Sequence, residues 1–111
     1  MGKALPIRIA GIVFSSRGQA VAHCRHILNE GAIGSRICGA DAEFVEHLWL
    51  NRPDKLEEFA GRRVVGFERR YRAGVENWTR CFWAVFEDGE AADFSFAKAL
   101  SNIVSAQHPM R

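Results

Sequence analysis

The segment TRCFWAVFE at residues 79–87, followed at once by Asp88-Gly89, restricts the fold more than any other part of the chain. Apolar residues stand on both alternating faces of this run, which is the pattern of a central strand buried on both sides. Asp-Gly favours a hairpin turn because glycine adopts a positive φ without steric hindrance. We therefore predict a strand over 79–87, a tight two-residue turn with positive φ at Gly89, and a returning strand over 91–96.

Alternation over residues 62–72 predicts a further strand that is exposed on one face. Its apolar and charged side chains fall on opposite faces, namely Val65, Phe67 and Tyr71 against Glu68, Arg70 and Arg72. The same alternation places Arg69 on the apolar face, next to Phe67. We therefore expect Arg70 and Arg72 to be more accessible to solvent than Arg69. Residues 7–14 (IRIAGIVF) are rich in β-branched side chains and predict an N-terminal strand.

The segment between these strands has the apolar spacing of helices. A first helix over 17–30 follows two residues suited to capping, Ser15 and Ser16, and ends at Gly31. A second helix is capped by Asp41. Its core stripe consists of Phe44, Val45, Leu48 and Trp49.

A third helix begins at Pro53 and ends at Gly61, and a last helix covers 97–106 before a frayed tail at 107–111. The predicted fold is α+β, a small antiparallel sheet formed by the C-terminal three-stranded meander, with two to three helices packed on one face and the opposite face left for a partner. The N-terminal strand would extend that sheet. With 111 residues, 48% of them hydrophobic, the chain is predicted to form a single domain over 1–111.

Cysteine and histidine spacing argues against a disulfide framework and against a metal site. Cys24, Cys38 and Cys81 are widely spaced and include no CxxC pair. His23 and His26 lie three apart, but no further ligand stands at a familiar spacing. We therefore predict reduced thiols, no metal, no cofactor and a cytoplasmic location, and we find no apolar run of about 18 residues that predicts a membrane span.

Charge is unevenly distributed, although the net charge is only +2. The predicted nucleic-acid-binding residues are six arginines and two aromatic residues of one hairpin: Arg62, Arg63, Arg69, Arg70, Tyr71, Arg72, Trp78 and Arg80. Guanidinium groups pair with phosphates, and aromatic rings stack on bases. The alternative is an ordinary solvated sheet face with its aromatic residues in the core. Acidic residues gather instead in the second and third helices, where they would serve a protein-docking region: Asp41, Glu43, Glu46, Asp54, Glu57 and Glu58.

The sequence contains no recognisable catalytic motif. Gly-rich phosphate loops, GxSxG elbows and HExxH patterns are absent. Cys24 and Cys81 fall on apolar stripes without a base and an orienting partner. Asp93 beside Ser95 is a lone carboxylate, which we expect to pair with a neighbouring arginine. We therefore predict a protein that is not an enzyme and has no small-molecule substrate.

One ordered set of residues spans most of the chain: Phe14, Ala20-x-x-x-Cys24-Arg25-x-Ile27-Leu28, Gly34, Thr79-Arg80-Cys81-Phe82-Trp83, Asp88-Gly89 and Asp93-Phe94-Ser95-Phe96. In this order the chain resembles the DCL domain, a family named for the plant "defective chloroplasts and leaves" protein. Similar domains occur in bacteria as small free-standing proteins. The resemblance covers about residues 14–100, and the Cys-Phe-Trp strand, Asp-Gly turn and Asp-Phe-Ser-aromatic strand are its most specific part.

Plant members of that family are associated with ribosomal RNA processing, so the resemblance implies a binding module linked to RNA or DNA, without an established active site. Where the family pattern has a lysine and a second glycine, this chain has Phe59 and Arg63. Any role of that lysine is lost here or falls to Arg62 or Arg63. We expect a non-catalytic accessory module that binds nucleic acid, RNA before DNA. The alternative is an adaptor that docks a polymerase, a nuclease or a ribosomal protein.

Overall fold

The computed structural model describes residues 5–72, 74 and 78–109, and these form an α+β fold, as predicted. The elements in chain order are β1 (Ile7–Ile9), β2 (Ile12–Phe14), α1 (Arg17–Asn29), β3 (Arg36–Ile37), α2 (Gly39–Leu50), α3 (Pro53–Glu58), β4 (Val64–Tyr71), β5 (Arg80–Phe86), β6 (Ala91–Phe94) and α4 (Phe96–Gln107). None of these helices is long and apolar enough to cross a membrane.

The main sheet has four antiparallel strands in the order β3-β4-β5-β6. The predicted central strand is confirmed, because β5 pairs with β4 on one side and with β6 on the other. Phe82 at its centre lies opposite Arg69 and Phe94 and has no exposed surface. The meander predicted from the sequence therefore provides three of the four strands of the main sheet.

The N-terminal segment does not extend this sheet, so that expectation is wrong. Residues 7–14 form a separate two-stranded hairpin, with Ile7 opposite Phe14. The chain reverses at Ala10 and Gly11, whose φ angles of 52° and 80° suit a tight hairpin turn. This turn interrupts an apolar run that resembles one continuous strand. The fourth strand of the main sheet is instead β3, which is only two residues long.

Capping residues set the ends of the helices. Ser16 accepts a hydrogen bond from the backbone N–H of Gln19 at the start of α1, as predicted. Helix α2 begins two residues before Asp41, which lies in its first turn rather than at the cap. Ser95 accepts hydrogen bonds from Ala97 and Lys98, so it ends β6 and caps α4. The predicted strand over 91–96 is therefore two residues too long, because its last two residues start the helix.

The helices cover one face of the main sheet. The core stripe predicted for α2 is confirmed, with Phe44 and Leu48 fully buried. From the sheet, Phe67, Phe82 and Phe94 join the same core. The hairpin β1–β2 contributes three further buried side chains, Ile7, Ile9 and Phe14.

The C-terminal end of α4 is tied to the N-terminal hairpin. The side-chain amide of Gln107 donates to the carbonyl of Arg8 at 2.7 Å, and its oxygen accepts from the Arg8 N–H at 2.9 Å. A ring nitrogen of His108 lies 2.8 Å from the carbonyl oxygen of Pro6. The expected frayed tail is therefore wrong for these two residues, while residues 110 and 111 lie outside the described part of the chain.

The predicted positive φ in the β5–β6 turn is confirmed, with φ at 91° for Gly89, but the turn has a different length. Phe86 N donates to Glu90 O and Gly89 N donates to Phe86 O, so three residues rather than two form the loop. A three-residue hairpin loop commonly ends in a residue with left-handed φ, and Gly89 is that residue. The position of the glycine is therefore as predicted, whereas the two-residue turn type is wrong.

Replacing Gly89 with valine should lower the free energy of unfolding by about 1 kcal/mol or more, measured by urea denaturation. A Cβ at Gly89 would have no atom within 4 Å, so the loss would come from backbone strain alone. Asparagine tolerates a left-handed conformation, and Gly89→Asn should therefore lose less. Equal stability of the valine variant and the parent would contradict a left-handed Gly89.

Candidate functional site

The eight predicted nucleic-acid-binding residues do not form one surface. The alternation predicted along β4 is confirmed at Arg69, which is only 7% exposed, and at the more accessible Arg70 and Arg72. It is wrong at Val65, which is 49% exposed beside a register shift between Val64 and Gly66. The eight residues separate into four groups with different surroundings, and only Arg72 and Arg80 among them line a cleft.

Arg62 and Arg63 lie at the end of the sheet that carries the β5–β6 loop. The Nη2 of Arg62 is 2.7 Å from a carboxylate oxygen of Asp88 and 2.6 Å from one of Glu90. Hydrogen bonding to Glu90 raises the pKa of Arg62 above its ordinary value. Arg63 is 3.8 Å from Glu87. Acidic residues of the neighbouring loop therefore offset both positive charges at this end.

Arg69 and Arg80 hold the C-terminal end of α1 against the sheet. The Nε of Arg69 donates to Ile27 O at 2.7 Å. The Nη1 of Arg80 donates to Leu28 O at 2.7 Å and to Gly31 O at 2.6 Å. Cations at the C-terminal end of a helix interact favourably with its dipole. The main role of these two arginines is therefore structural.

Gly31 leaves room for the Arg69 guanidinium. A Cβ on Gly31 would lie 2.8 Å from Ser35 Oγ and 2.9 Å from Arg69 Nη1. The same Nη1 donates to Ser35 Oγ at 3.2 Å and to Arg36 O at 3.3 Å. The glycine after α1 is thus required for close approach, and its φ is not in the positive range.

The sheet face opposite the helices neutralises its own charges. Glu68 is 2.7 Å from Arg70 Nη2 and 3.4 Å from Arg36 Nη2. The Arg70 guanidinium lies over the Trp83 ring at 5.4 Å, and the Trp83 N–H donates to Tyr71 O. This is the face predicted to be left for a partner, but the Arg70 side chain already covers part of its central tryptophan.

A cleft of about 400 Å³ lies at the other end of the sheet. It is lined by Arg52, Lys55, Arg72, Thr79, Arg80, Cys81, Asp93, Phe94, Ser95, Phe96, Ala97 and Lys98. Five of these side chains are cationic and one is acidic. The start of α3, the adjoining ends of β5 and β6, and the first turn of α4 come together here.

Arg52 fixes the inner wall of the cleft. Its side chain is 4% exposed, and its Nη1 donates to the carbonyl of the capping residue Ser95 at 3.2 Å. Its Nε and Nη2 donate to the Asp54 carboxylate at 3.0 and 2.8 Å. Hydrogen bonding from Arg52 lowers the pKa of Asp54 to about 2. Asp54 therefore remains ionised at neutral pH, but it is not among the residues that line the cleft.

Lys98 occupies an unusual position for a cation. It lies in the first turn of α4, which contains no acidic residue. The N-terminal end of a helix carries partial positive charge and favours anions. A lysine there raises the positive potential of the cleft, which an anionic ligand would relieve.

Two exposed aromatic residues, Tyr71 and Trp78, each directly precede a residue that lines the cleft. Trp78 is 79% exposed and Tyr71 is 39% exposed. Their ring centroids are 5.0 Å apart, in an edge-to-face arrangement. Trp78 immediately precedes the cleft residue Thr79, whose carbonyl accepts a hydrogen bond from the backbone N–H of Arg72. Of the predicted residues, Tyr71, Arg72, Trp78 and Arg80 thus lie in or beside the cleft.

The thiols of Cys24 and Cys81 are protonated at neutral pH. Burial raises the pKa of Cys24 to about 12, and burial with the nearby Asp93 charge raises the pKa of Cys81. His23 packs between the rings of Phe14 and Phe44, at centroid distances of 5.4 and 4.7 Å. Among residues 5–72, 74 and 78–109, no three His, Cys, Asp or Glu side chains are arranged to hold a metal ion.

Three cationic cleft residues are not among those predicted from the sequence, namely Arg52, Lys55 and Lys98. Arg52 and Lys55 stand in a stretch of the sequence where acidic residues outnumber basic ones, so no cationic cluster is visible there. For Lys98 a signal was present, since a lysine three residues after the capping Ser95 opposes the helix dipole. No local pattern indicates that the start of α3 meets the start of α4.

Comparison with known proteins supports a family assignment. A solution NMR structure of an uncharacterized protein from Rhodospirillum rubrum is similar to this chain, with a TM-score of 0.74 and 30% sequence identity. The alignment covers 97% of this chain and 98% of that one. No curated protein matches. A family model described as "Protein of unknown function (DUF3223)" matches residues 25–100, and the chain therefore belongs to that family.

Proposed function

We propose that the protein is a non-catalytic module that binds nucleic acid, with RNA as its principal ligand, through the cationic cleft and the exposed Trp78. The observation that carries the proposal is the convergence of five cationic side chains on one cleft beside an indole that is 79% exposed. Cations provide affinity for the phosphate backbone, and an exposed aromatic ring provides a stacking surface for a base.

The charge balance of the cleft supports a polyanionic ligand. Elsewhere on the predicted basic hairpin, carboxylates lie beside arginines, as at Arg62, Arg63 and Arg70. Of the five cationic lining residues, Arg52 pairs with Asp54 and Lys55 lies 3.9 Å from Glu58. The other three, Arg72, Arg80 and Lys98, share the cleft with a single acidic lining residue, Asp93. Phosphate groups that enter the cleft would replace the counterions such a surface attracts.

The preference for RNA draws on the resemblance to the DCL domain, whose plant members are associated with ribosomal RNA processing. Three widely spaced free thiols favour the reducing cytoplasm as the working compartment. The protonated thiols and the pairing of the arginines suit binding better than catalysis, because no described cleft residue is an activated nucleophile.

The double variant Arg72→Gln/Lys98→Gln should weaken RNA binding. It should also lower the slope of log affinity against log salt by about 0.7 for each phosphate that the variant no longer neutralises. Both side chains are exposed, so thermal stability should change little. Titrations of a short labelled RNA at several salt concentrations provide the measurement.

Arg63→Gln is the matched control, because Arg63 is 79% exposed and lies at the opposite end of the sheet. This variant loses one charge but should keep the parental salt slope. An equal effect of the control and the cleft variants would mean that only net charge matters. Parental protein that binds no RNA at low salt would leave the adaptor alternative, with the exposed acidic side chains Glu43, Glu46, Glu57 and Glu58 as its docking region.

A further inference from the structure

We infer that the cleft accepts the backbone of a single-stranded nucleic acid and that Trp78 stacks on an unpaired base beside the bound phosphate. This inference rests on the proposed function and narrows its ligand. It is supported by three features: cationic side chains occur both at the rim and at the inner wall of the cleft, Trp78 directly precedes a cleft residue, and the cleft is too small for a duplex.

Cationic groups line the cleft from its rim to its inner wall. Arg72 and Lys98 are exposed, Arg80 is half-buried and Arg52 is 4% exposed. A ligand that remains at the surface meets only the exposed pair. Arg52 is already paired with Asp54, but a phosphate that enters the cleft also approaches Arg80, whose Nη1 donates to two backbone carbonyls rather than to a carboxylate. The gradient of exposure therefore favours a backbone that can be drawn inward.

A single strand can be drawn inward more readily than a duplex. Double-stranded DNA is stiff, with a persistence length of about 50 nm, and it bends sharply only at considerable cost. The cleft encloses about 400 Å³, which is enough for one nucleotide but not for a double helix. A flexible single strand can place one phosphate inside and continue along the surface on both sides.

Trp78 stands where the next base would lie. Its Cα is about 3.8 Å from that of Thr79, which lines the cleft. Paired bases within a duplex are stacked on each other, so their faces are not available to an indole, whereas a single-stranded base can be splayed onto an aromatic ring. The edge contact with Tyr71 helps to hold the indole in place while most of its surface stays exposed.

The test compares a short single-stranded RNA with the duplex formed from the same strand and its complement, using the whole protein at several salt concentrations. We expect tighter binding of the single strand. Trp78→Ala should weaken single-strand binding by about 5- to 150-fold without changing the salt slope, because stacking releases no counterions. Duplex affinity should change little.

Two controls separate stacking from a general loss of apolar surface. Trp78→Phe keeps an aromatic ring and should retain much of the single-strand affinity. Val13→Ala removes part of an exposed side chain, 60% accessible, that does not line the cleft, and it should bind like the parent. Quenching of tryptophan fluorescence by the single strand should be largely lost in Trp78→Phe, since Trp49 is buried and Trp83 is half-buried.

The outcomes distinguish this inference from the proposed function. Equal affinity for single strand and duplex, with Trp78→Ala unchanged, would overturn the inference while leaving intact a nucleic-acid site that depends on Arg72 and Lys98. Binding that is insensitive to the Arg72→Gln/Lys98→Gln change would overturn the proposed site itself. Preference for the single strand together with the weaker binding of Trp78→Ala would support both.

Discussion

Replacing Arg69 with methionine should lower the free energy of unfolding by about 3 kcal/mol or more. The Arg69 side chain is 7% exposed and donates hydrogen bonds to Ile27 O, Ser35 Oγ and Arg36 O. Hydrogen bonds to charged groups contribute about 1.5 to 3 kcal/mol each, and a carbonyl left unsatisfied in the interior adds a desolvation penalty. Methionine preserves most of the apolar stem, so the loss would reflect the missing donors rather than a cavity.

Urea denaturation of Arg69→Met beside Arg70→Met provides the comparison. The two residues are neighbours on β4, but Arg70 points to the opposite face, where it pairs with Glu68 at 2.7 Å and is partly exposed. We expect the Arg70 change to lose about 1 kcal/mol or less. Similar losses in the two variants would show that the end of α1 does not depend on Arg69.

Phe82→Ala should be the most destabilising single truncation in the sheet, at about 3 to 5 kcal/mol. The ring has no exposed surface, lies in the central strand, and packs with Phe94 and Phe96 at centroid distances of 6.1 and 6.2 Å. Its removal would leave a cavity between the sheet and the helices, under a strand that is paired on both sides and whose backbone has little freedom to collapse.

The free energy of unfolding of Phe82→Ala can be compared with that of Phe82→Leu and Tyr71→Ala. Leucine refills much of the volume and should lose less than alanine. Tyr71 is 39% exposed, so truncating it should cost clearly less than truncating Phe82. If Phe82→Ala unfolds at the parental urea concentration, β5 does not form the centre of the core.

The sequence allowed the α+β class, the order of the C-terminal strands and the buried stripe of α2 to be predicted, because each depends on a local period. Alternation along β4 likewise separated Arg69 from Arg70. The N-terminal hairpin was missed since Ala10 and Gly11 stand inside an apolar run that reads as one strand. The two-residue strand β3 is too short for any period to be visible.

The candidate site was only partly predictable, for a physical reason. Clustering along the chain indicated a basic hairpin, but a strand sends successive side chains to opposite faces of the sheet and holds its own two ends far apart. Arg62 and Arg72 are ten positions apart in sequence and lie at opposite ends of β4. The cleft instead combines Arg72 with Arg52 and Lys98, which are distant in sequence and meet through tertiary packing.

The hydrogen bonds from Gln107 and His108 to Arg8 and Pro6 have a consequence for how the domain can be joined to other chains. They hold the segment at β1 and the end of α4 side by side, with His108 Nε2 only 2.8 Å from Pro6 O. A domain whose ends adjoin can be spliced into a surface loop of a host protein through short linkers, since little chain is needed to close the junction. The same adjacency makes the fold a suitable scaffold for circular permutation, with new termini opened in the β5–β6 loop, away from the cleft.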